Sequence, residues 1–256
     1  MARSLMLKLA GVVTVLGLLE LCSRTGLLPR QWFPPVSAIY AELARLAAER
    51  PLWVEIGRTL RAWAVGIGLA GLVAVPVGVA LGSSPLAYRM LRGVIEFCRP
   101  IPSVALIPLA VLLYGTGLRM KVFLIAFATF WPLLFQAIYG VRDVDPVARD
   151  TARAYGLGPL ARFRVITLPS AAPYIATGVR IAAAIGLVLA VTSELVGGAP
   201  GLGRAIMVAQ SAGRTTLMYA LIVTTGLLGW ALNSAFAASE RALLRWHPAQ
   251  RQEVRP

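Results

Sequence analysis

Histidine occurs once in this chain, at His247, and cysteine twice, at Cys22 and Cys98. One imidazole and two widely separated thiols supply neither a metal knuckle, nor a disulfide framework, nor a Ser-His-Asp triad. Lysine is as scarce: only Lys8 and Lys121 are present, and neither lies in a G-x-x-x-x-G-K-[ST] run. That run is what cradles nucleotide phosphates, so the chain cannot be its own P-loop ATPase. Acidic residues number 11 against 25 basic ones, for a formal charge of +14 and a pI near 11.1. In a soluble chain such a balance points to nucleic acid, but no aromatic-plus-basic surface or nucleic-acid motif accompanies it. Basic residues beside apolar runs meet anionic lipid headgroups instead.

What the chain has in abundance is apolar sequence in long blocks. Of its 256 residues 58% are hydrophobic and 14% charged, with a mean hydropathy of +0.73. The apolar residues come in runs near 20 long rather than in periodic faces, which predicts an all-α polytopic membrane protein. Six spans are expected: Leu5 to Leu21, Ala62 to Leu81, Ile101 to Leu118, Val122 to Tyr139, Pro173 to Val196, and Leu217 to Ala238. No small-x-small cleavage pattern directly follows the first run, so it reads as an uncleaved anchor. Leu21 stands where lipid attachment to Cys22 requires a small residue.

Lys and Arg in the loops set the orientation. With the N-terminus inside, the inner set is Arg3, Lys8, Arg89, Arg92, Arg99, Arg142, Arg149, Arg153, Arg162, Arg164, Arg180, Arg241, Arg245, Arg251 and Arg255, or 15 of 25. Six of the remainder lie between Arg24 and Arg61, where Glu42, Glu49 and Glu55 partly offset them. Both termini and a soluble segment, Val141 to Ala172, are then cytoplasmic. The expected organisation is an anchor helix with an external segment (1–61), a core of five spans (62–238) including that loop, and a basic cytoplasmic tail (239–256).

Gly66, Gly68 and Gly71 spell G-x-G-x-x-G, but inside an apolar run with no preceding strand, where small residues serve close helix packing rather than a dinucleotide. Gly78 and Gly82 continue the theme. Pro76, Pro102, Pro108 and Pro132 each remove a backbone donor within a span, and kinked helices can line a pathway. Glu194, beside Thr192 and Ser193 near the outer end of the fifth span, is an acid that must face protein or water. It is a candidate pathway or gate residue, with Ser193, Pro102, Pro108 and Gln136. The alternative is a structural pairing with Arg204 or a neighbouring helix end.

The loop from Val141 to Ala172 has helix punctuation of its own. Asp145-Pro146 is a helix start, Gly156 a stop, Gly158-Pro159 a second start, and Leu168-Pro169 an end before the next span. The run Asp150-Thr151-Ala152, three residues, Gly156, nine residues, Ile166, one residue, Leu168-Pro169 resembles the "EAA" loop of ABC-importer permeases. Asp150 and Thr151 stand where that loop usually has Glu and Ala. Arg99-Pro100-Ile101-Pro102 through Ala105 to Leu109, Gly115-x-Gly117, Gly140-Val141-Arg142, Val144-Asp145-Pro146, Ser193-Glu194-Leu195 and Gly201-Leu202-Gly203 are similar to the nitrate/sulfonate/taurine-type subgroup of binding-protein-dependent permeases. The similarity runs from about Trp53 to Ala238.

The resemblance implies a type I ABC importer permease fold in a bacterial inner membrane. It implies two permease copies, most simply a homodimer, around one pathway. It also implies a separate cytoplasmic ATPase that binds ATP and Mg, and an external binding protein that delivers a small solute such as nitrate, a sulfonate or taurine. The coupling residues it assigns are Asp150, Thr151, Ala152, Tyr155, Gly156, Ile166, Leu168 and Pro169. No catalytic residue, metal or cofactor is expected in this chain. A self-contained ion-coupled carrier or channel is the rival reading, and it leaves the punctuated loop unexplained.

Overall fold

The computed structural model describes residues 2–243; Arg245, His247, Arg251 and Arg255 of the basic tail lie outside the described residues. Those residues form helices and turns, with no strand among them: α1 (Ala2–Arg24), α2 (Val36–Ala47), α3 (Arg50–Ser83), α4 (Pro85–Cys98), a 3-10 turn (Ser103–Leu106) leading into α5 (Ile107–Tyr114), α6 (Leu118–Arg142), α7 (Pro146–Ala154), α8 (Pro159–Arg162), a π-turn (Phe163–Thr167), α9 (Leu168–Gly197), α10 (Leu202–Ser211) and α11 (Thr215–Leu243). Four helical stretches are long and apolar enough to cross a membrane, and a bent pair makes a fifth if taken as one span. The first expected run lies within α1, about 35 Å long against a hydrocarbon core of about 30 Å.

The centre is a packing of α3, α6 and α9. Along α3 the small residues Ala62, Gly66, Ala70, Ala74 and Gly78 recur every fourth position and are all buried, so one face of the helix is nearly flat. A Cβ on Gly66 would stand 2.6 Å from Ile125 Cγ2, and one on Gly78 would stand 2.6 Å from the Cβ of Ala137. Of the G-x-G-x-x-G run only Gly66 serves this contact: nothing lies within 4 Å of a Cβ on Gly68, and Gly71 meets only Leu133 at 4.0 Å. Against this face α6 buries Ile125, Leu133, Leu134 and Ile138, each at most 1% exposed.

The expected third span is not one helix. Pro100 and Pro102 break the chain after α4, the 3-10 turn and α5 together cover only Ser103–Tyr114, and the pair of segments is bent by 76°. Pro108 sits in the first turn of α5, where its missing N–H costs nothing, so it starts a helix rather than kinking one. By contrast Pro76 and Pro132 lie inside continuous helices.

A second correction concerns the fifth span. Leu168-Pro169 does not end a helix; a helical rod runs unbroken from Pro159 to Gly197, 39 residues. The π-turn is the physical reason. Its Leu168 N–H bonds to the Phe163 carbonyl, one residue wider than an α-turn, and Pro169 enters without ending the helix.

At the end of the molecule away from α7, α2 and α10 pack with α3 and α11 through Ile39, Leu46, Leu52, Leu202, Ile206 and Leu221. Neither short helix was foreseen, and α3 begins at Arg50, so it crosses the boundary drawn at residue 61. The acids of this region are paired locally: Arg45 bridges Glu42 and Glu49, and Arg58 meets Glu55 at 2.6 Å. The Arg45 guanidinium, hydrogen-bonded to Glu42, holds that carboxyl below its ordinary range.

Candidate functional site

Two sites sit at opposite ends of the rod that ends in α9. The first is the loop containing α7. Asp145 caps α7 by accepting from the Val147 N–H at 2.8 Å, and Pro146 occupies the first turn. The helix closes at Gly156, whose φ of +71° is the left-handed conformation that favours glycine. Its N–H bonds to the Arg153 carbonyl at 2.9 Å and that of Leu157 to the Ala152 carbonyl at 3.0 Å. The base of the loop is fastened to the core: the Tyr174 hydroxyl donates to Asp143, and Arg149 donates to the Val141 carbonyl.

Along α7 the residues divide cleanly. Val147, Asp150, Thr151, Tyr155 and Gly156 are exposed, Tyr155 at 81%. Ala152 is 5% exposed and so packs on its own chain rather than on the outer face of the helix. Ile166 is half-buried, and Leu168 and Pro169 are exposed on the rod beyond the elbow. Of the expected coupling residues, the structure gathers Asp150, Thr151, Tyr155 and Gly156 on one short helix and its stop.

The second site is a buried ion pair. Lys121 Nζ lies 2.8 Å from Glu194 Oε1, with the two side chains 3% and 0% exposed. The ammonium has three protons and finds three acceptors: Glu194, the Pro200 carbonyl at 2.7 Å and the Arg58 carbonyl at 3.3 Å. The carboxylate is likewise satisfied. Thr59 Oγ1 stands 2.9 Å from Oε1, and the Gly203 N–H donates to Oε2 at 3.0 Å. Thr59 in turn accepts from the Leu202 N–H at 3.0 Å, so the acid and the hydroxyl together answer two orphan donors at the start of α10. One cluster thus joins α3, α6, α9 and α10.

Gly201 and Gly203 are what let the carboxylate in. A Cβ on Gly201 would fall 2.0 Å from Glu194 Oε1, and one on Gly203 2.2 Å from the Val191 carbonyl. Arg204, the partner suggested by nearness in sequence, is exposed and takes no part. Lys121 and Thr59 are the residues sequence reasoning missed. The available signal was that one of only two lysines lies at the edge of an apolar run. Ser193 is also buried, its hydroxyl donating to the Ala190 carbonyl at 2.8 Å. Gln136 packs where a Cβ on Gly178 would stand 2.9 Å from its own Cβ, while Pro102 and Pro108 are exposed. No hydrogen bond among the described residues joins those three to Glu194.

Four membrane-length apolar helices, a bent helix pair, a short capped helix and an unbroken rod behind it make an all-helical multi-pass membrane fold. The chain belongs to the family of binding-protein-dependent transport system inner membrane components, which matches residues 74–246. It is therefore a multi-pass inner-membrane permease subunit of an ABC importer, a transport subunit rather than an enzyme. It is 31% identical over 224 residues to the taurine transport system permease protein TauC of Escherichia coli K12, covering 84% of this chain and 80% of that one. It is 29% identical to the putative aliphatic sulfonates transport permease protein SsuC of the same organism, over 93% and 90% of the two chains. It is 27% identical to the nitrate import permease protein NrtB of Leptolyngbya laminosa, over 73% and 67%. Among solved structures the fold is similar to a chain of the inward-facing MetNI methionine ABC transporter, with a TM-score of 0.66 at 21% identity over 75% of this chain and 95% of that one.

Proposed function

We propose that this permease couples to a separate cytoplasmic ATPase through α7, and that two copies enclose a pathway for a small oxyanion or sulfonate delivered by an external binding protein. The observation that carries the coupling reading is the division of α7. Tyr155, Thr151 and Asp150 are exposed while Ala152 is buried, and the Asp143–Tyr174 contact ties the base of the loop to the rod. ATP and Mg belong to the partner, and their energy reaches the membrane as a displacement of α7 at Gly156. Because a ligand shifts an equilibrium only through its differential affinity for the states, ATP and the loaded binding protein must each favour a different conformation. Both termini are cytoplasmic in this reading. The binding protein meets the opposite end, where Arg204 and Arg214, with Arg58 already paired to Glu55, border a groove of about 450 Å³ and favour an acidic surface.

The substrate class rests on the relatives, whose named solutes are taurine, aliphatic sulfonates and nitrate. Ser193, Gln136, Pro102 and Pro108 remain pathway candidates, and Glu194 acts on the gate by fixing α10 rather than by touching solute.

Affinity purification of the tagged chain in mild detergent tests the coupling. A P-loop ATPase is expected at stoichiometric level, lost when Gly156→Pro removes the left-handed elbow, with the variant still inserted in the membrane. A clean chain that transports in liposomes on an ion gradient alone overturns the reading in favour of a secondary carrier.

A further inference from the structure

On the α7 side of the molecule a cleft of about 810 Å³ opens between the ends of α3 and α6, the first two turns of α4 and the loop helices. Six guanidinium groups line it: Arg89 and Arg92 from α4, Arg142 from α6, Arg149 and Arg153 from α7, and Arg162 from α8. No aspartate or glutamate lines it. Three of the six are engaged elsewhere, Arg92 with Glu96 at 2.7 Å, Arg153 with Asp150 at 3.2 Å, and Arg149 with the Val141 carbonyl. Arg142 stacks 3.9 Å over the Tyr88 ring, a contact that orients a cation without neutralising it. Arg89 and Arg162 make no ion pair among the described residues, and the Nε of Arg162 is buried with no acceptor.

A buried donor without an acceptor is costly, and clustered like charges repel one another. An anion with several acceptor oxygens relieves both, and planar guanidinium forks match phosphate geometry. The other face of α4 says which kind of anion. Leu86, Met90, Val94 and Phe97 form a stripe along it at helical spacing, each at least 60% exposed. A helix with arginines on one face and such a stripe on the other lies at the headgroup level of a bilayer. Free phosphate leaves the stripe bare, whereas a phospholipid occupies cleft and stripe together.

We propose that the cleft holds the phosphate headgroup of an anionic phospholipid, with its acyl chains along the α4 stripe. The leaflet is the cytoplasmic one in the orientation proposed above, but the binding itself needs neither that orientation nor the ATPase. Such a lipid ties α4 to α7 and α8, and so places bilayer composition in contact with the coupling loop.

Native mass spectrometry of the purified full chain, titrated with phosphatidylglycerol or phosphatidylcholine, tests this. The expected result is one phosphatidylglycerol retained per chain in preference to phosphatidylcholine. In R89Q/R162Q that preference falls about thirtyfold, while R89K/R162K, which keeps the charge but loses the fork, falls by a smaller factor. Equal retention by wild type and R89Q/R162Q overturns the proposal. Displacement by excess inorganic phosphate also overturns it, and assigns the cleft to a free anion. If R89Q/R162Q does not fold, photocrosslinking of a headgroup-reactive phosphatidylglycerol to the wild-type chain decides: label on α4, α7 and α8 supports the site, and label elsewhere refutes it. A cleft that takes no lipid but becomes protected when the ATPase binds belongs to an acidic protein surface instead.

Discussion

A carboxylate withdrawn from water has to be answered atom by atom, and Glu194 is answered by Lys121, Thr59 and the Gly203 N–H. Removing one partner of such a pair strands the other. Lys121→Met is expected to destabilise the chain by about 3–5 kcal/mol, read as a lower midpoint of thermal unfolding in detergent. Adding Glu194→Leu to that variant removes the stranded charge but recovers only part of the loss, because the Gly203 N–H is then left buried without an acceptor. Full recovery, or no loss in the single variant, contradicts this account. The importance of Glu194 was legible, since an acid at the end of an apolar run must be accounted for. Its partner was not, because Thr59, Lys121 and Glu194 come from three helices whose packing no local pattern encodes. Of the two structural partners the sequence offered, Arg204 stands exposed, while the neighbouring helix end, the start of α10, does supply the Gly203 N–H.

At the scale of the element, glycine-rich α3 reads correctly as a packing helix: Gly66, Gly78 and Gly82 lie at the contact with α6, and Gly68 and Gly71 do not. The G-x-G-x-x-G spacing drew attention to Gly68 and Gly71. The contact face follows the fourfold spacing through Gly66, Ala70, Ala74 and Gly78. Gly78→Val is therefore expected to separate α3 from α6 and sharply reduce the yield of folded protein on size-exclusion chromatography. Gly68→Ala, in open space, is neutral or raises stability by about 0.5–1 kcal/mol through helix propensity. Helix breakers were the other source of error. Proline was read as a stop at Leu168-Pro169 and as a kink at Pro108, but its effect depends on whether the turn before it can do without a donor. Asp145, Pro146 and Gly156 were read correctly because capping is a local matter of one side chain or one φ angle.

At the scale of the whole molecule, the class was the most legible feature, because apolar blocks are summed over many residues and survive local misreadings. The bend between Pro85–Cys98 and Ser103–Tyr114 shows the limit: a hydropathy run counts apolar residues and is blind to the backbone. The proposed orientation has a direct check. In a chain with Cys22 and Cys98 replaced by serine, a cysteine at Val147, 70% exposed on α7, reacts with an impermeant thiol reagent only from the cytoplasmic face. A cysteine at Trp32, 61% exposed between α1 and α2, reacts only from outside. Reversed labelling inverts the topology and removes the ATPase from its proposed side.

The π-turn at Phe163–Thr167 carries one consequence of its own. A helix repeats every 3.6 residues, so the one extra residue held in that turn offsets everything before it by about 100° around the axis. The phase set at Phe163–Thr167 therefore turns α8, the first turn of the rod, relative to α9. Two permeases alike in the rest of the loop but differing in this turn would present α8 in different directions.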